Sequence, residues 1–183
     1  AFQDAAFQVG SIITTTGYAT VDFDKWPQLS RTIMVLLMFI GACAGSTGGG
    51  MKVSRVMIAF KEIKKELASV IHPRSVKVLT YEGKALDHNT LRSINAFIIV
   101  YFIILGVSVL LVSLDNFDFG TSFSAVVATL NNIGPGISEV GPAANFSGLS
   151  AMSKWVLIFD MLAGRLEIFP MLVLFLPDTW RRF

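Results

Sequence analysis

Residues 7–19 read FQVGSIITTTGYA and residues 124–136 read SAVVATLNNIGPG. Each is a moderately apolar stretch that runs into a glycine turn. Each is then followed by polar residues, a tryptophan (Trp26, Trp155), an apolar run and a further glycine (Gly45, Gly164). An order of features that recurs in this way marks a duplicated unit. Gly17 to Gly45 is 28 residues and Gly134 to Gly164 is 30, so the two copies are of nearly equal length. The unit reads as a short helix, a glycine turn, an external loop and a returning span.

The solvent for that unit follows from composition. The chain of 183 residues is 53% hydrophobic and 15% charged, with a mean hydropathy of +0.62, against about 25% charged residues in soluble domains. This predicts a membrane protein, all-α in class. A net charge of +2 gives no basic excess for a nucleic-acid partner. The single cysteine, Cys43, excludes an intrachain disulfide and a multi-cysteine metal site; inside its apolar run it is expected to be a small buried residue. The opening residues lack the features of a signal peptide, and with no initiator Met the chain is expected to open mid-protein. His72 and His88 stand 16 residues apart with no second ligand pattern and read as ordinary solvated or capping residues.

Ile94–Leu114 (INAFIIVYFIILGVSVLLVSL) has no charge and at about 31 Å matches the hydrocarbon thickness. Ile33–Ala44 crosses only if the glycine segment and Met51–Phe60 complete it. Lys154–Leu176 is long enough but carries Asp160, Arg165 and Glu167. Nine of the 15 Lys and Arg residues lie in 52–92, and Arg181 and Arg182 near the end, so both regions are predicted to be cytoplasmic by the positive-inside rule. Segments 18–31 and 115–150 are then external. Three spans, running inward, outward and inward, satisfy this. Val56, Phe60, Ile63, Leu67 and Val70 recur at helical spacing in 52–71, predicting a helix that leaves the membrane and ends before Pro73. Its apolar stripe lies on lipid or solvent, or docks a cytoplasmic partner. Trp26, Trp155 and Trp180 fall near span ends, where indoles prefer the interface.

Asp4–Ile13 and Thr121–Leu130 are only about 15 Å long, half a bilayer. They are expected to enter and turn back, with a non-helical backbone at depth that survives only in protein or beside a wet cavity. TTTGY and NNIGPG therefore read as pore lining. Backbone carbonyls replace the hydration oxygens of a cation. Gly17 and Gly134 permit the positive φ that aligns them, and Thr15, Thr16, Asn131 and Asn132 are expected to brace the turns from behind. The carboxyl ends of the short helices favour a cation over an anion. TTGYA also approaches the TVGYG filter of potassium channels.

GACAGSTGGGMK (41–52) approaches the phosphate-binding G-x-x-x-x-G-K-[ST] pattern. However, Met51 separates Lys52 from the last glycine and Val53 stands where Ser or Thr is required, which argues against nucleotide binding. Arg165 at mid-bilayer must face protein or water. Neither Asp160 nor Glu167 shares its helical face, and each is read either as part of an ion path or as a structural partner. No nucleophile, base and orienting group cluster, so no enzymatic activity is predicted. Two further classes are distinguishable in principle, a membrane scaffold with no pore and a membrane ATPase.

GACAGSTGGGMK, FQVGSIITTTGY and NNIGPG, in this spacing and over the whole chain, resemble the Trk/Ktr/HKT superfamily of potassium transporters, most closely the TrkH type of bacterial membrane subunit. The resemblance implies four M1–pore helix–M2 units of the potassium-channel type around one pseudo-fourfold pore. This chain then carries the pore helix, filter and broken M2 of the third unit (1–71), a cytoplasmic connection (72–92) and the whole fourth unit (93–183), as a carboxy-terminal fragment. It implies filter residues Thr15, Thr16, Gly17 and Tyr18 with Asn132, Ile133, Gly134 and Pro135, holding potassium, the substrate, through backbone carbonyls with no covalently bound cofactor. It also implies a gating loop of Gly45, Ser46, Thr47, Gly48, Gly49 and Gly50 beneath the filter, with Arg165 beside it. Ala19 stands where a channel has a second glycine, so selectivity is expected to be weaker, and a sodium-selective or sodium-coupled transporter is the alternative. The implied partners are membrane lipid, a second permease in a homodimer and a cytosolic nucleotide-binding ring of the TrkA type engaging 52–92. The implied location is the bacterial inner membrane, crossed several times.

Overall fold

The computed structural model describes residues 2–43, 45, 46, 48–72, 79–81, 83–166, 168–174 and 180. Thr47 of the glycine loop, Pro73, Glu167 and the Arg181–Arg182 pair lie outside the described residues, as does the end of the 154–176 run.

Seven helices carry the fold among the described residues: α1 Phe2–Ile13, α2 Gln28–Phe39, α3 Val53–Ile71, α4 His88–Val112, α5 Phe119–Leu130, α6 Ala151–Arg165 and α7 Ile168–Leu174. The half-length helices are both present. α1 and α5 each have 12 residues, about 18 Å, and end at the two residues, Ile13 and Leu130, that the repeat predicts. α5 is capped by Asp118, whose Oδ2 accepts from Gly120 N at 2.9 Å, satisfying an otherwise orphaned amide. α4 is the described helix long and apolar enough to cross a membrane.

The other two predicted crossings are interrupted, and for different reasons. α2 stops after 12 residues and the chain makes an excursion through 42–50 before resuming as α3. Strands β1 (Ile40–Gly41) and β2 (Met51–Lys52) close the base of this excursion as a parallel pair, Ile40 facing Met51 and Gly41 facing Lys52. They run parallel because the chain travels the same way on both sides of the loop. The 154–176 run, expected to be continuous, breaks at Leu166 between α6 and α7. Pro170 is the sequence signal for that break. It lacks the N–H that would bond Leu166 O and its ring crowds that carbonyl, so it is tolerated only in the first turn of a new helix. α3 ends at Ile71, with His72 N bonding Ala68 O at 2.9 Å, as expected.

The connection 72–92 contains an unforeseen hairpin, β3 (Thr80–Tyr81) with β4 (Lys84–Ala85). It docks on α3, where Lys61 Nζ donates to Thr80 O at 3.0 Å, and Leu79 joins Ile58, Leu91 and Ile94 in a small separate core. The main core surrounds α5, whose Ala125, Val126, Val127, Ala128 and Leu130 are fully buried between α4, α6 and α2. Cys43 is exposed, which corrects its expected burial. Its side chain belongs to the excursion and not to an intact helix.

Candidate functional site

The turns that end α1 and α5 match hydrogen bond for hydrogen bond. Thr15 N bonds Ile12 O at 3.0 Å and Asn132 N bonds Thr129 O at 2.9 Å. Thr16 N and Ile133 N reach Ser11 O and Ala128 O, both at 2.9 Å, and Gly17 N and Gly134 N share those carbonyls at 3.5 and 3.4 Å. Thr15 and Asn132 have φ of 55° and 56°, Gly17 and Gly134 of 79° and 106°. This is a helix end with a left-handed residue after it, made twice from dissimilar residues. Threonine is β-branched and rarely takes this conformation, so Thr15 is held there against its preference, a form of strain that concentrates at functional sites.

A second left-handed residue two positions later distinguishes this turn from an ordinary helix cap. In a strand successive carbonyls alternate sides. Thr15 and Gly17 have positive φ whereas Thr16 and Tyr18 do not, and this alternation of hand brings successive carbonyls toward one side. The two turns also meet. A Cβ on Gly17 would collide with Ile133 O and lie 3.3 Å from Pro135 Cδ, so only glycine lets the backbones approach this closely.

The bracing is partly as expected. Asn131 is fully buried; its Nδ2 donates to Val127 O at 2.8 Å and its Oδ1 accepts from Tyr101 O–H of α4 at 2.9 Å. Asn132 Nδ2 donates to Met161 O of α6 at 3.2 Å. Thr16 Oγ1 pairs with Thr14 Oγ1 at 2.8 Å, which in turn bonds Gly10 O at 2.7 Å; among the described residues Thr15 Oγ1 makes no such bond, and Thr15 supplies the strained backbone. The first turn is held by Ser11, whose Oγ donates to Tyr18 O at 2.6 Å, and by Gln8, whose Nε2 donates to Val21 O at 2.9 Å. The Tyr18 carbonyl, one of the expected filter carbonyls, therefore accepts from the helix behind it. Ser124 plays the equivalent part in the second turn, accepting from Ile137 N at 3.0 Å and donating to Ile137 O at 3.2 Å. Sequence reasoning missed Gln8, Ser11, Tyr101 and Ser124. For Gln8, Ser11 and Ser124 the signal was a polar residue inside a short apolar helix; Tyr101 lies in the long helix α4.

The glycine loop packs directly against both turns. Cβ atoms on Gly48 and Gly49 would stand 3.1 Å from Thr15 Oγ1 and 2.6 Å from Asn131 O, and one on Gly50 would collide with Asn131 Oδ1. A Cβ on Gly45, at φ 82°, would meet nothing within 4 Å among the described residues, and this glycine serves as the bend. The loop is pinned at its base, where Ala42 N bonds Ile13 O, the last carbonyl of α1, at 3.0 Å. On the other side Gly164 lies so close to Leu130 O, the last carbonyl of α5, that a Cβ would collide with it. The first-repeat glycine doing the same is Gly41, whose Cβ would be 3.1 Å from Ile13 O. The structure thus pairs Gly164 with Gly41, and not with Gly45 as the sequence repeat suggested.

Gly164 also approaches Asn132 Nδ2, which touches Gly49, and Arg165 follows it at the exposed end of α6. Asp160 is fully buried; its Oδ1 accepts from Ser108 Oγ of α4 at 2.7 Å, and its Oδ2 has no hydrogen-bond partner among the described residues. An open, apolar groove of about 590 Å³ runs beside the second turn, with Asn132, Ile133 and Gly134 on one wall and Leu157, Ile158 and Met161 of α6 on another.

A sequence profile of the TrkH family, described as cation transport proteins, matches residues 1–181. The Trk system potassium uptake protein TrkH of Escherichia coli K12 is 42% identical over 177 residues, covering 97% of this chain and 36% of that protein. TrkI of Halomonas elongata is 39% identical over 177 residues, covering 96% and 36%. The crystal structure of the potassium transporter TrkH from Vibrio parahaemolyticus superposes with a TM-score of 0.88 at 42% identity, over 98% of this chain and 38% of that one. The chain thus spans little more than a third of the length of these relatives.

Proposed function

Because the chain belongs to the TrkH family of cation transport proteins, we propose that it forms the pore helix, filter and M2 of the third unit and the whole fourth unit of a potassium permease, conducting the ion down its electrochemical gradient. The observation that carries this reading is the pair of matched left-handed turns, in contact with each other at half-bilayer helix ends. A dehydrated cation needs several oxygens at once. The carbonyls of Thr15, Thr16 and Gly17 with those of Asn132, Ile133, Gly134 and Pro135 supply one half of such a ring. The Tyr18 carbonyl shapes the mouth through Ser11.

The gate is the excursion 45–50. Its glycines fit beneath Thr15, Asn131 and Asn132, so the loop obstructs the path directly under the filter, and Arg165 adds a positive charge that repels a cation there. α3 starts at Val53, immediately after the parallel bridge, and any pull on α3 therefore acts on the base of the loop. A cytosolic nucleotide-binding ring of the TrkA type, engaging 52–92, would exert that pull, and the full permease would work as a homodimer in the bacterial inner membrane. Deleting part of 45–50 in the intact permease, reconstituted in liposomes, should make rubidium uptake independent of the ring. Unchanged dependence would overturn the gate. Ala19, in place of a second glycine, leaves sodium as the competing ion, and preference for sodium over potassium in the same liposomes would overturn the choice of substrate.

A further inference from the structure

Above the contact between the two turns lies a second connection. Asp24 belongs to a 3-10 turn, Phe23–Lys25, anchored by the fully buried Phe23. Its Oδ1 accepts from Arg31 Nη2 of α2 at 2.7 Å and, at the same time, from the backbone N of Ser138 at 3.0 Å. Arg31 Nη2 also lies 3.5 Å from Ser138 Oγ. Asp24 and Arg31 belong to the first repeat and Ser138 to the second, four residues after Gly134. Ser138 is left-handed as well, at φ 59°, and its neighbour Ile137 is tied to Ser124 of α5.

We propose that Asp24 and Arg31 are positioning residues that fix the spacing of the two filter turns from the external side, and so set how sharply the pore discriminates potassium from sodium. This rests on the filter reading above. The physical reason is that, among the described residues, no hydrogen bond joins the two turns where they meet at Gly17, Ile133 and Pro135, so that contact is non-directional and does not fix their spacing. A charge-assisted hydrogen bond to a backbone amide resists separation. Arg31 is needed because its Nη2 holds the carboxylate on the Ser138 side, at 2.7 Å from Asp24 Oδ1.

The test is uptake of potassium and sodium by the intact permease in proteoliposomes. Asp24→Leu removes both bonds and should lower the potassium-to-sodium ratio about tenfold, the effect of losing a hydrogen bond to a charged group. Asp24→Asn keeps an acceptor for Ser138 N and should fall between it and the wild type; Arg31→Gln should shift the ratio the same way as Asp24→Leu. If the leucine variant does not fold, the other two decide. A selective wild type with unchanged ratios in Asp24→Asn and Arg31→Gln overturns the clamp alone. A wild type that does not select potassium overturns the filter reading and the clamp with it. Higher uptake by Arg31→Gln at low ionic strength, with an unchanged ratio, would mean that Asp24 merely attracts cations, and would also overturn the proposal.

Discussion

The turn after α1 and the turn after α5 share their hydrogen bonds but not their surroundings. α5 is enclosed by α2, α4 and α6, and nearly every residue from Thr121 to Leu130 is buried. α1 packs chiefly on α2 and β1, leaving Phe2 and Phe7 exposed. The same left-handed geometry at Thr15 and Asn132 in such different settings shows that the turn is a local device, written in the last residues of each helix. What the setting decides is how firmly the turn is held. In the second repeat, residues far away in sequence support it, Tyr101 through Asn131 and Met161 through Asn132. In the first, Gln8 and Ser11 of the same helix do so.

Four pairs of substitutions press on this difference. The largest effect is expected from the M2 glycines: Gly164→Val forces a side chain onto the last carbonyl of α5, whereas Gly41→Ala meets Ile13 O at 3.1 Å and needs only a small adjustment. Overpacking costs about 1–3 kcal/mol or more, so the detergent-solubilised permease should lose most of its folded yield with Gly164→Val and little with Gly41→Ala. Equal yields would refute the tighter packing of the second repeat. Next come the glycines of the two turns. Gly17→Ala meets both a left-handed φ and Ile133 O, while Gly134→Ala meets only the left-handed φ. With strain of about 1–3 kcal/mol per such residue, both should reduce the rubidium-to-sodium uptake ratio, Gly17→Ala the more; the reverse order would show that the turns are further apart in the working permease.

Tyr101→Phe tests the long-range support. It leaves the buried Asn131 Oδ1 without its donor, which costs about 1–3 kcal/mol and should appear as a lower melting temperature. Thr14 occupies the matching place in the first repeat and bonds Gly10 O of its own helix at 2.7 Å, so Thr14→Ala should shift the melting temperature less. Smallest is relief of strain at the left-handed residue: Thr15→Gly should stabilise by up to about 1 kcal/mol, whereas Asn132→Gly should not, since Asn tolerates this conformation and its side chain bonds Met161 O. A destabilised Thr15→Gly, measured in the same thermal assay, would mean that the threonine side chain matters more for its contact with Gly48 than its backbone strain costs.

The distinction between local and distant determinants also separates what was legible in the residues from what was not. The repeat, the ends of α1 and α5 at Ile13 and Leu130, the long helix α4, the end of α3 before Pro73 and the left-handed Gly17 and Gly134 all follow from neighbouring residues, because helix ends and turns close hydrogen bonds within about six positions. The Pro170 break was equally local, and its signal was present in the chain. Other features needed the folded molecule. Pairing Gly41 with Gly164, engagement of the Tyr18 carbonyl by Ser11, packing of Gly48, Gly49 and Gly50 against Thr15 and Asn131, and the bond from Ser138 to Asp24 all depend on which backbone lies against which. The partners in the last of these are 114 residues apart, and no periodicity in the sequence encodes a contact at that distance. Composition and local pattern determined that two short helices would enter a membrane and turn back; only packing decided how near the turns came to each other and to the loop beneath them, because close approach is a property of two surfaces and neither segment carries it alone.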